Sequence, residues 1–567
     1  MSTNSDVARI FYSIADLLDV QGERFKPEAY RRAARSIETL GEDLRKVAQR
    51  GALDDIPGIG EALREKILEY LRDGKISYYE RLRETFPSGI LELMRIPGIG
   101  PKTTGRFHLE LGIDSPTALA EAIDQGRLNG LPGFGPKKIE NLREALRSKE
   151  AAPHSTRTPL VIAWRLARSV IQELSSRTPV KDIVAAGSLR RCRENVGDLD
   201  ILATSARPPE TIAVFTAMPG VRSVLVQGDT KTTIMHDPGI QIDLRVVEPA
   251  SFGAALQYFT GSKDHNIHLR SLARDRGLKI NEYGVFRGED RIAGKTEAEV
   301  YDTLGLPWIP AEIRENQGEI EAALEGKLPA VIEADQLRGE LHRHIPESPD
   351  DPWLRSLIGE AQRRKFQYLG LVLPLGSASS SEGTRLERVR TLWNRLNPKA
   401  LQVRIGREVA LEAGADRAGL EPAVDYLVGV PRPARDATPP KPPSDPISFR
   451  PLFVGHLPLG APGAEVPREA VIPWIDWCRT SGAALEVTPL GAEEGLDAGS
   501  ARWAQEAGTP LLLSGGATDL TELDLTVGRA RRGWVRTDGV INSRADAVGG
   551  SAAKPLKTKP RAPVARK

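Results

Sequence analysis

Three segments of the chain repeat one pattern: Ile56-Pro57-Gly58-Ile59-Gly60, Ile96-Pro97-Gly98-Ile99-Gly100 and Leu131-Pro132-Gly133-Phe134-Gly135. Each stands at a turn before a stretch with helical spacing of apolar residues. Proline pre-sets one backbone dihedral, and glycine permits positive φ and close approach of the backbone. The amides at the following helix N-terminus then point outward together, which builds a small anion site suited to a phosphate. One such turn is a weak signal. Three of them, two followed by Pro-Lys (Pro101-Lys102 and Pro136-Lys137-Lys138), commit the first 150 residues to short helices joined by Gly/Pro turns. Bulk charge gives no such pointer. Lys and Arg number 78 against 76 Asp and Glu, a net charge of +2, so any footprint for a polyanion is local.

The turns resemble helix-hairpin-helix units, which grip DNA backbones without reading sequence. That resemblance makes Gly58, Gly60, Gly98, Gly100, Lys102, Gly133, Gly135 and Lys137 the expected DNA contacts. The plainer alternative is three ordinary helix-connecting turns.

With 567 residues, the chain has room for about three to five domains. Hydrophobic residues at 40% and charged residues at 27% suit folded domains rather than disorder. A spacer, AAPHSTRTP, follows the helical region at 151–159. From about 160 to 325, helical patterns alternate with strand-like runs such as DIVAAG, LDILAT and IQIDLRVV, which implies a mixed α/β domain. Residues 334–550 are again α/β, interrupted by the proline-rich insert PRPARDATPPKPPSDP. The tail at 551–567 is basic and expected to be disordered. Two cysteines, Cys192 and Cys478, exclude a disulfide scaffold and a thiolate-built zinc site. No run of eighteen apolar residues occurs, and MSTNSDVARI has no apolar signal core. The expectation is a cytoplasmic protein with no membrane contact.

A second signal is Gly187-Ser188-Leu189-Arg190-Arg191 followed by Gly197-Asp198-Leu199-Asp200, with Ile242-Asp243-Leu244 further on. Asp198 and Asp200 are two apart on an expected strand, so their carboxylates share one face. Leu199, Ile201 and Leu202 point to a buried strand. Asp243, between Ile242 and Leu244, would bring a third carboxylate from an adjacent strand. Three carboxylates within an apolar sheet repel one another unless cations neutralise them. Oxygen-only ligation suits Mg²⁺ or Mn²⁺, and no organic cofactor is implied. Two such ions beside a phosphoryl centre would activate an attacking hydroxyl and stabilise a leaving pyrophosphate. The Gly187-Ser188 turn offers amides and a hydroxyl to nucleotide phosphates, and Arg191 adds charge-assisted bonds. The alternative is a surface-exposed acidic loop.

GSxxR…GDxD…D is similar to the nucleotidyltransferase signature of the family X DNA polymerases. Tyr258-Phe259-Thr260-Gly261-Ser262 with Asn266 and Arg270, then Leu278-Lys279-Ile280-Asn281-Glu282-Tyr283-Gly284, resemble that family's thumb. The resemblance covers residues 5–325 and continues more weakly to 550, in the bacterial arrangement where a PHP domain follows the polymerase core. It implies that Asp198 and Asp200 bind both metals, and that Asp243 binds the catalytic one and helps activate the primer 3′-OH. Gly187, Ser188, Arg191 and Gly197 would hold triphosphate oxygens. Tyr258, Phe259 and Gly261 would line the sugar pocket, and Asn266 and Arg270 would meet the base pair in the minor groove. Lys66, in GIGEALREKILEYL, matches the position where repair members of the family place a Schiff-base lysine. Arg64 would favour the neutral amine that such chemistry needs, while Glu61, Glu65 and Glu69 oppose it. Ala62 stands where the family has a supporting lysine. The alternative is an exposed helix lysine paired with Glu65 or Glu69.

Leu341-His342-Arg343-His344 resembles the opening His-x-His of PHP phosphoesterases, and Glu408 and His456 fit two further ligand motifs. Other motifs of that domain are broken. Leu373-Pro374 replaces an Asp-His, Pro431-Arg432 follows DYLVGV where a histidine is expected, and Ser514-Gly515-Gly516-Ala517 replaces the closing Asp-x-His. About four ligands of nine remain. The resemblance therefore implies a degenerate PHP domain, retained as a scaffold, with His342, His344, Glu408 and His456 able to hold one ion if they converge.

The expected fold is multidomain α/β. A helical lyase-like domain (1–80) carries the first hairpin unit, and a fingers-like region (81–150) carries two more. A nucleotidyltransferase palm with a mixed sheet (158–250), a thumb (251–325), a PHP-type (β/α)7 barrel (334–550) and the tail (551–567) follow. The expected function is template-directed addition of dNMP to a primer 3′-OH, filling gaps in base-excision or end-joining repair. Its partners would be gapped or nicked double-stranded DNA and dNTPs, bound by a monomer at the nucleoid. Rivals are template-independent transfer, a DNA-binding scaffold, and a PHP 3′→5′ exonuclease with an accessory palm; the exonuclease is opposed by the missing ligands.

Overall fold

In the computed structural model, alternating burial along the strand Ile240–Val246 fixes which face its acidic residue occupies. The structure describes residues 3–548 except 24, 39–43, 88, 95, 97–98, 132, 136–137, 141, 144–145, 147–156, 238, 376–378, 397–400, 412–423, 432–438, 444–450, 461–465 and 517–519. Gly98, Lys137, Arg432, Ala517 and the basic tail lie outside the described residues. The chain divides into two units, residues 1–156 and 157–567.

The first unit is helical. Phe11, Ile14 and Leu17 of helix Thr3–Val20 pack with Ala33, Ala34 and Ile37 of helix Lys26–Glu38, and Ile56, Ile59 and Ile67 join them. A second core gathers Ile96, Ile99, Phe107, Leu119 and Phe134. Ile56, Ile59, Ile96, Ile99 and Phe134 of the repeats thus enter a core, while Gly60, Gly100, Gly133 and Gly135 are exposed.

In the second unit, β1 (Thr158–Pro159) pairs with β3 (Asn195–Val196), beside a five-stranded sheet. That sheet contains β2 (Val180–Ala185), β4 (Asp198–Ser205), β5 (Val221–Gln227), β6 (Lys231–His236) and β7 (Ile240–Val246), in the order β2-β4-β7-β6-β5. Only β4 and β7 run parallel, so the sheet is mixed. Ile240, Ile242, Leu244 and Val246 alternate inward against Ala163, Val170 and Leu174 of helix Leu160–Arg177. The period of two sends Gln241, Asp243 and Arg245 to the opposite face. Helices Phe252–Thr260 and Lys263–Asp275 follow, then a three-stranded sheet of β8 (Lys279–Asn281), β9 (Gly284–Arg287) and β10 (Asp290–Ala293). This subdomain is cored by Leu269, Val285, Val300, Tyr301 and Leu304.

The chain then builds seven parallel strands in sequence order: β11 (Gly339–His344), β12 (Tyr368–Leu373), β13 (Gln402–Ala410), β14 (Tyr426–Val430), β15 (Phe453–Val454), β16 (Ala484–Val487) and β17 (Leu511–Leu513). Every residue of β12, β14, β16 and β17 is buried, as expected for strands covered on both faces. Asn542 links the first and last strands. Its amide donates to the carbonyls of Gly339 (3.0 Å) and Leu513 (2.7 Å) and accepts from the Leu513 amide (3.2 Å). A side chain that mimics a peptide group therefore draws the sheet into a nearly closed barrel. Helix Leu523–Arg532 of the barrel packs on the five-stranded domain: Leu525 enters that domain's core, and Arg529 forms a two-armed bridge to Glu194 (2.9 and 2.8 Å). No helix among the described residues is long and apolar enough to cross a membrane.

Candidate active site

Register alone places the acidic cluster. Asp200 on β4 lies directly opposite Asp243 on β7, and Asp198 lies opposite Gln241. The three aspartates singled out in the sequence therefore meet on one face of adjacent parallel strands. Burial, and then the charges of Asp198 and Asp243, push the Asp200 carboxyl up to about 7, only partly countered by Arg245 and Arg191. Asp198 is raised by burial and by Asp243. Asp243 is held in place: Thr233 on β6 donates to its Oδ1, and Gln241 donates to its Oδ2 (2.8 Å). Clustered carboxylates, with the proton affinity of Asp198 and Asp200 raised, are a donor set that fits hard divalent cations.

The turn after β2 lies against this cluster. Gly187 has φ +60°, and a Cβ there would collide with the Asp200 carboxylate, so both the backbone conformation and the close approach require glycine. Ser188 follows on the short helix Gly187–Arg190. Gly197 is exposed with open space around it. Arg190 grips Glu297 with two hydrogen bonds (2.8 and 2.7 Å) and Thr260 Oγ1 with a third (2.7 Å). Burial opposes the charge on Glu297, but Arg314 and Arg190 hold its carboxyl down to about 2. Arg191 donates to Glu315 (2.9 Å) and to the Thr260 carbonyl.

Helix Phe252–Thr260 carries Tyr258 and Phe259, whose rings meet edge to face at 5.2 Å, with the Arg245 guanidinium 4.3 Å from the Phe259 centroid. The helix ends at Gly261, beside Arg191. Asn266 is 8% exposed. Its amide donates to the Tyr258 carbonyl (2.7 Å) and accepts from Gln257 (2.7 Å), so it ties the end of this helix to the next. Arg270 is exposed, and its Nε donates back to the Asn266 carbonyl (3.2 Å).

In the helical unit, the described repeats share one geometry. Ile59 donates to Ile56 O (3.0 Å), Ile99 to Ile96 O (3.0 Å) and Phe134 to Leu131 O (2.9 Å). Gly58 and Gly133 have φ of +85° and +86°, which Pro-Gly turns require. Gly60 and Gly100 cap helices Glu61–Asp73 and Pro101–Leu111 without a side-chain hydrogen bond, and the space beside them and beside Gly135 is open. Lys102 follows in the first turn of the second helix. Lys66 Nζ donates to the Ala62 carbonyl (3.1 Å) and lies 5.1 Å from the Tyr78 ring centroid. Arg64 is engaged by Asp54 (2.7 Å), and Glu69 accepts the Ser77 amide (2.9 Å).

The barrel residues do converge. Oε1 of Glu408 lies 3.1 Å from His342 Nε2, 2.6 Å from His344 Nε2 and 2.9 Å from His456 Nε2. One ligand atom from each of the four residues falls within 4.8 Å of every other. His342 and His344 share a face of β11, Glu408 comes from β13, and His456 follows β15 at φ +49°. Glu486 on β16 is within 2.6 Å of His342 Nδ1 and orients that ring. Glu486, Thr233, Gln241, Glu297 and Glu315 were not identified from the sequence. Gln241 had a signal, since it shares the Asp243 face by period two; Thr233 is set opposite Asp243 by the β6–β7 register, and Glu486, Glu297 and Glu315 meet His342, Arg190 and Arg191 across long stretches of chain.

A family description of the DNA polymerase beta thumb matches residues 255–315. A helix-hairpin-helix domain matches residues 2–76, and a SAM-like helix-hairpin-helix tandem matches 90–148. The chain is similar to the DNA polymerase/3'-5' exonuclease PolX of Bacillus subtilis (strain 168), 30% identical over 565 residues, which span 95% of this chain and 97% of that protein. It is 25% identical over 333 residues to DNA polymerase lambda of Rattus norvegicus, 53% of this chain and 54% of that one. Repair DNA polymerase X of African swine fever virus (isolate Tick/Malawi/Lil 20-1/1983) is 30% identical over 139 residues, 23% of this chain and 78% of the viral one.

Proposed function

The chain belongs to the bacterial family X DNA polymerases, and from that premise we propose that it fills short gaps in nicked or gapped duplex DNA during repair, as a monomer at the nucleoid. It is a metal-dependent, DNA-binding repair polymerase. The observation that carries the site assignment is the direct pairing of Asp200 with Asp243, together with the raised carboxyl of Asp200. Asp198, Asp200 and Asp243 would hold two Mg²⁺ or Mn²⁺ ions. When bound, those ions promote attack by the primer 3′-OH on the dNTP and offset charge on the departing pyrophosphate.

The chain's own residues position the reactants. The two hydrogen bonds on Asp243 fix the direction of its carboxylate before substrate arrives. Gly187, Ser188 and Gly197 would offer amides and a hydroxyl to triphosphate oxygens, and Arg191 a guanidinium. Tyr258, Phe259 and Gly261 line the sugar side. Arg270 and Asn266 would meet the base pair, and the Asn266 amide also donates to the Tyr258 carbonyl. The exposed glycine turns grip the DNA backbone around the gap, with Lys102 at one of them. Lys102→Glu should weaken DNA binding whatever the sequence and reduce the salt slope by about one unit. An unchanged slope in a binding titration counts against that grip.

Extension on a one-nucleotide gap with Mg²⁺ and with Mn²⁺, run beside Asp198→Ala/Asp200→Ala, tests the palm assignment. Wild type should extend only when a template strand is present, and the double variant should not extend. Extension by the double variant, or equal extension without a template, refutes it.

A specific observation supports a second role. The convergence of three imidazoles and a carboxylate suits one Zn²⁺ or Mn²⁺ ion. The Bacillus relative is also named for a 3'-5' exonuclease. For this chain we infer a single-ion barrel site that supports the polymerase, because Leu373-Pro374 and Ser514-Gly515-Gly516 replace further ligands of the resembled domain.

A further inference from the structure

Arg532, the last residue of barrel helix Leu523–Arg532, reaches the phosphate-binding turn of the polymerase domain. Its Nη1 donates to Glu315 Oε1 (2.7 Å) and to the backbone carbonyl of Arg191 (3.1 Å). Glu315 Oε1 is the same atom that accepts from Arg191 Nε (2.9 Å). The second Glu315 oxygen has Arg193 Nη1 at 3.8 Å. Side-chain exposures of Arg191, Glu315 and Arg532 are 13%, 12% and 14%, so this contact is largely removed from water.

We propose that Arg532 is a positioning residue for nucleotide binding: by sharing Glu315 with Arg191, the barrel frees Arg191 to engage the incoming triphosphate. The inference rests on Arg191 holding triphosphate oxygens, as assigned above. To reach a phosphate, the Arg191 guanidinium must slacken its bond to Glu315. A nearly buried carboxylate that loses its partner is costly, because its desolvation is then uncompensated. With Arg532 in place, Glu315 retains a short charge-assisted bond throughout the exchange. Without it, Arg193 at 3.8 Å is the remaining partner among these contacts, and Glu315 holds Arg191 back. Arg532 also fixes the Arg191 carbonyl, where helix Gly187–Arg190 ends, so the backbone of the phosphate turn stays in place while the side chain moves.

The relevant readout is the split between KM and kcat for gap filling by the full-length protein. Arg532→Ala should raise the dNTP KM about tenfold, the size of one charge-assisted hydrogen bond, and change kcat by less than about twofold. Arg532→Lys should recover part of that loss. Adding Glu315→Gln to Arg532→Ala should bring KM back toward wild type, since the neutral amide no longer retains Arg191. The control is Arg165→Ala, which cuts a different link between the domains, the one to Glu522; it should leave KM unchanged. An unchanged KM in Arg532→Ala, an equal rise in Arg165→Ala, or no recovery on adding Glu315→Gln overturns the inference. Arg191→Ala separates the two levels. If Arg191→Ala raises KM and Arg532→Ala does not, only the barrel's part fails. If Arg191→Ala leaves KM unchanged, the assignment of Arg191 fails and takes this inference with it.

Discussion

The two acidic clusters of this polymerase solve the same electrostatic problem in opposite ways. In the palm, Asp198, Asp200 and Asp243 sit together, Thr233 and Gln241 donate to Asp243, and the half-buried Asp200 takes up a proton readily. In the barrel, one carboxylate, Glu408, lies within hydrogen-bond distance of three histidines, and a second, Glu486, meets His342 from behind. Burial works against the charge of Glu408, yet those three contacts hold its carboxyl far below the usual range. The palm thus stores a repulsion that an arriving cation relieves. The barrel has already neutralised itself, so a cation there must displace hydrogen bonds. A site kept strained by its own charge is poised for metal chemistry; a self-satisfied site can serve structure with or without an ion.

The largest effect should come from the strained cluster. Asp243→Ala should reduce primer extension by about 10³-fold or more while DNA affinity stays nearly unchanged. Retained extension in a gap-filling assay would remove Asp243 from the reaction and leave the palm no more reactive than the barrel.

The next test separates the clusters by metal. In the Asp198→Ala/Asp200→Ala background, equilibrium dialysis should find one Zn²⁺ per chain, lost when His342→Ala/His344→Ala is added. With the palm intact, His342→Ala/His344→Ala should keep extension in Mg²⁺ within about twofold, because distant sites act independently. No 3′→5′ degradation with Mn²⁺ is expected from wild type. Robust degradation that His342→Ala/His344→Ala abolishes would make the barrel a second catalytic centre and collapse the contrast. More finely, Glu486→Gln should weaken the Zn²⁺ site by about 10–100-fold, the usual scale for a carboxylate that orients a ligating histidine; unchanged affinity would remove Glu486 from the site.

These clusters differ in how far the sequence discloses them. Asp198, Asp200 and Asp243 are legible because they interrupt apolar strands at period two, and alternation is a local rule. The pairing of Asp200 with Asp243 is a matter of sheet order, which no local rule supplies. In the barrel, the broken motifs suggested a dismantled site, but His342, Glu408 and His456 face one another because parallel strands deliver them to the same level. The resemblance implies that Asn266 meets the base pair in the minor groove; that its amide also donates to the Tyr258 carbonyl and accepts from Gln257 is set by the packing of two helices and has no local signal. Glu315 and Arg532 carry no sequence signal at all. An ion pair spanning 217 positions is created by the docking of two domains, and surface charges of either sign are too common to mark it.

The smallest expected effect is a difference in pH dependence, and it distinguishes the clusters by window. In the folded chain Asp200 keeps its proton to about 7, while an unfolded aspartate releases it near 4. Between those values the folded state binds more protons, so in chelator Asp200 makes stability fall as pH rises from about 4 to 7. His342 acts later. Burial would lower it, but Glu486 and Glu408 draw it up to about 10, so its contribution is complete below the ordinary histidine range and is lost as pH rises through about 10. Comparing thermal midpoints of wild type and Asp200→Asn in chelator should therefore show an excess decline in wild type between about pH 4.5 and 7. Mg²⁺ at pH 7 should reverse that decline, because the cation supplies the neutralisation that the proton provided. Parallel curves for the two proteins across that window would mean that Asp200 bears no unusual charge burden, and the palm would then be as self-satisfied as the barrel.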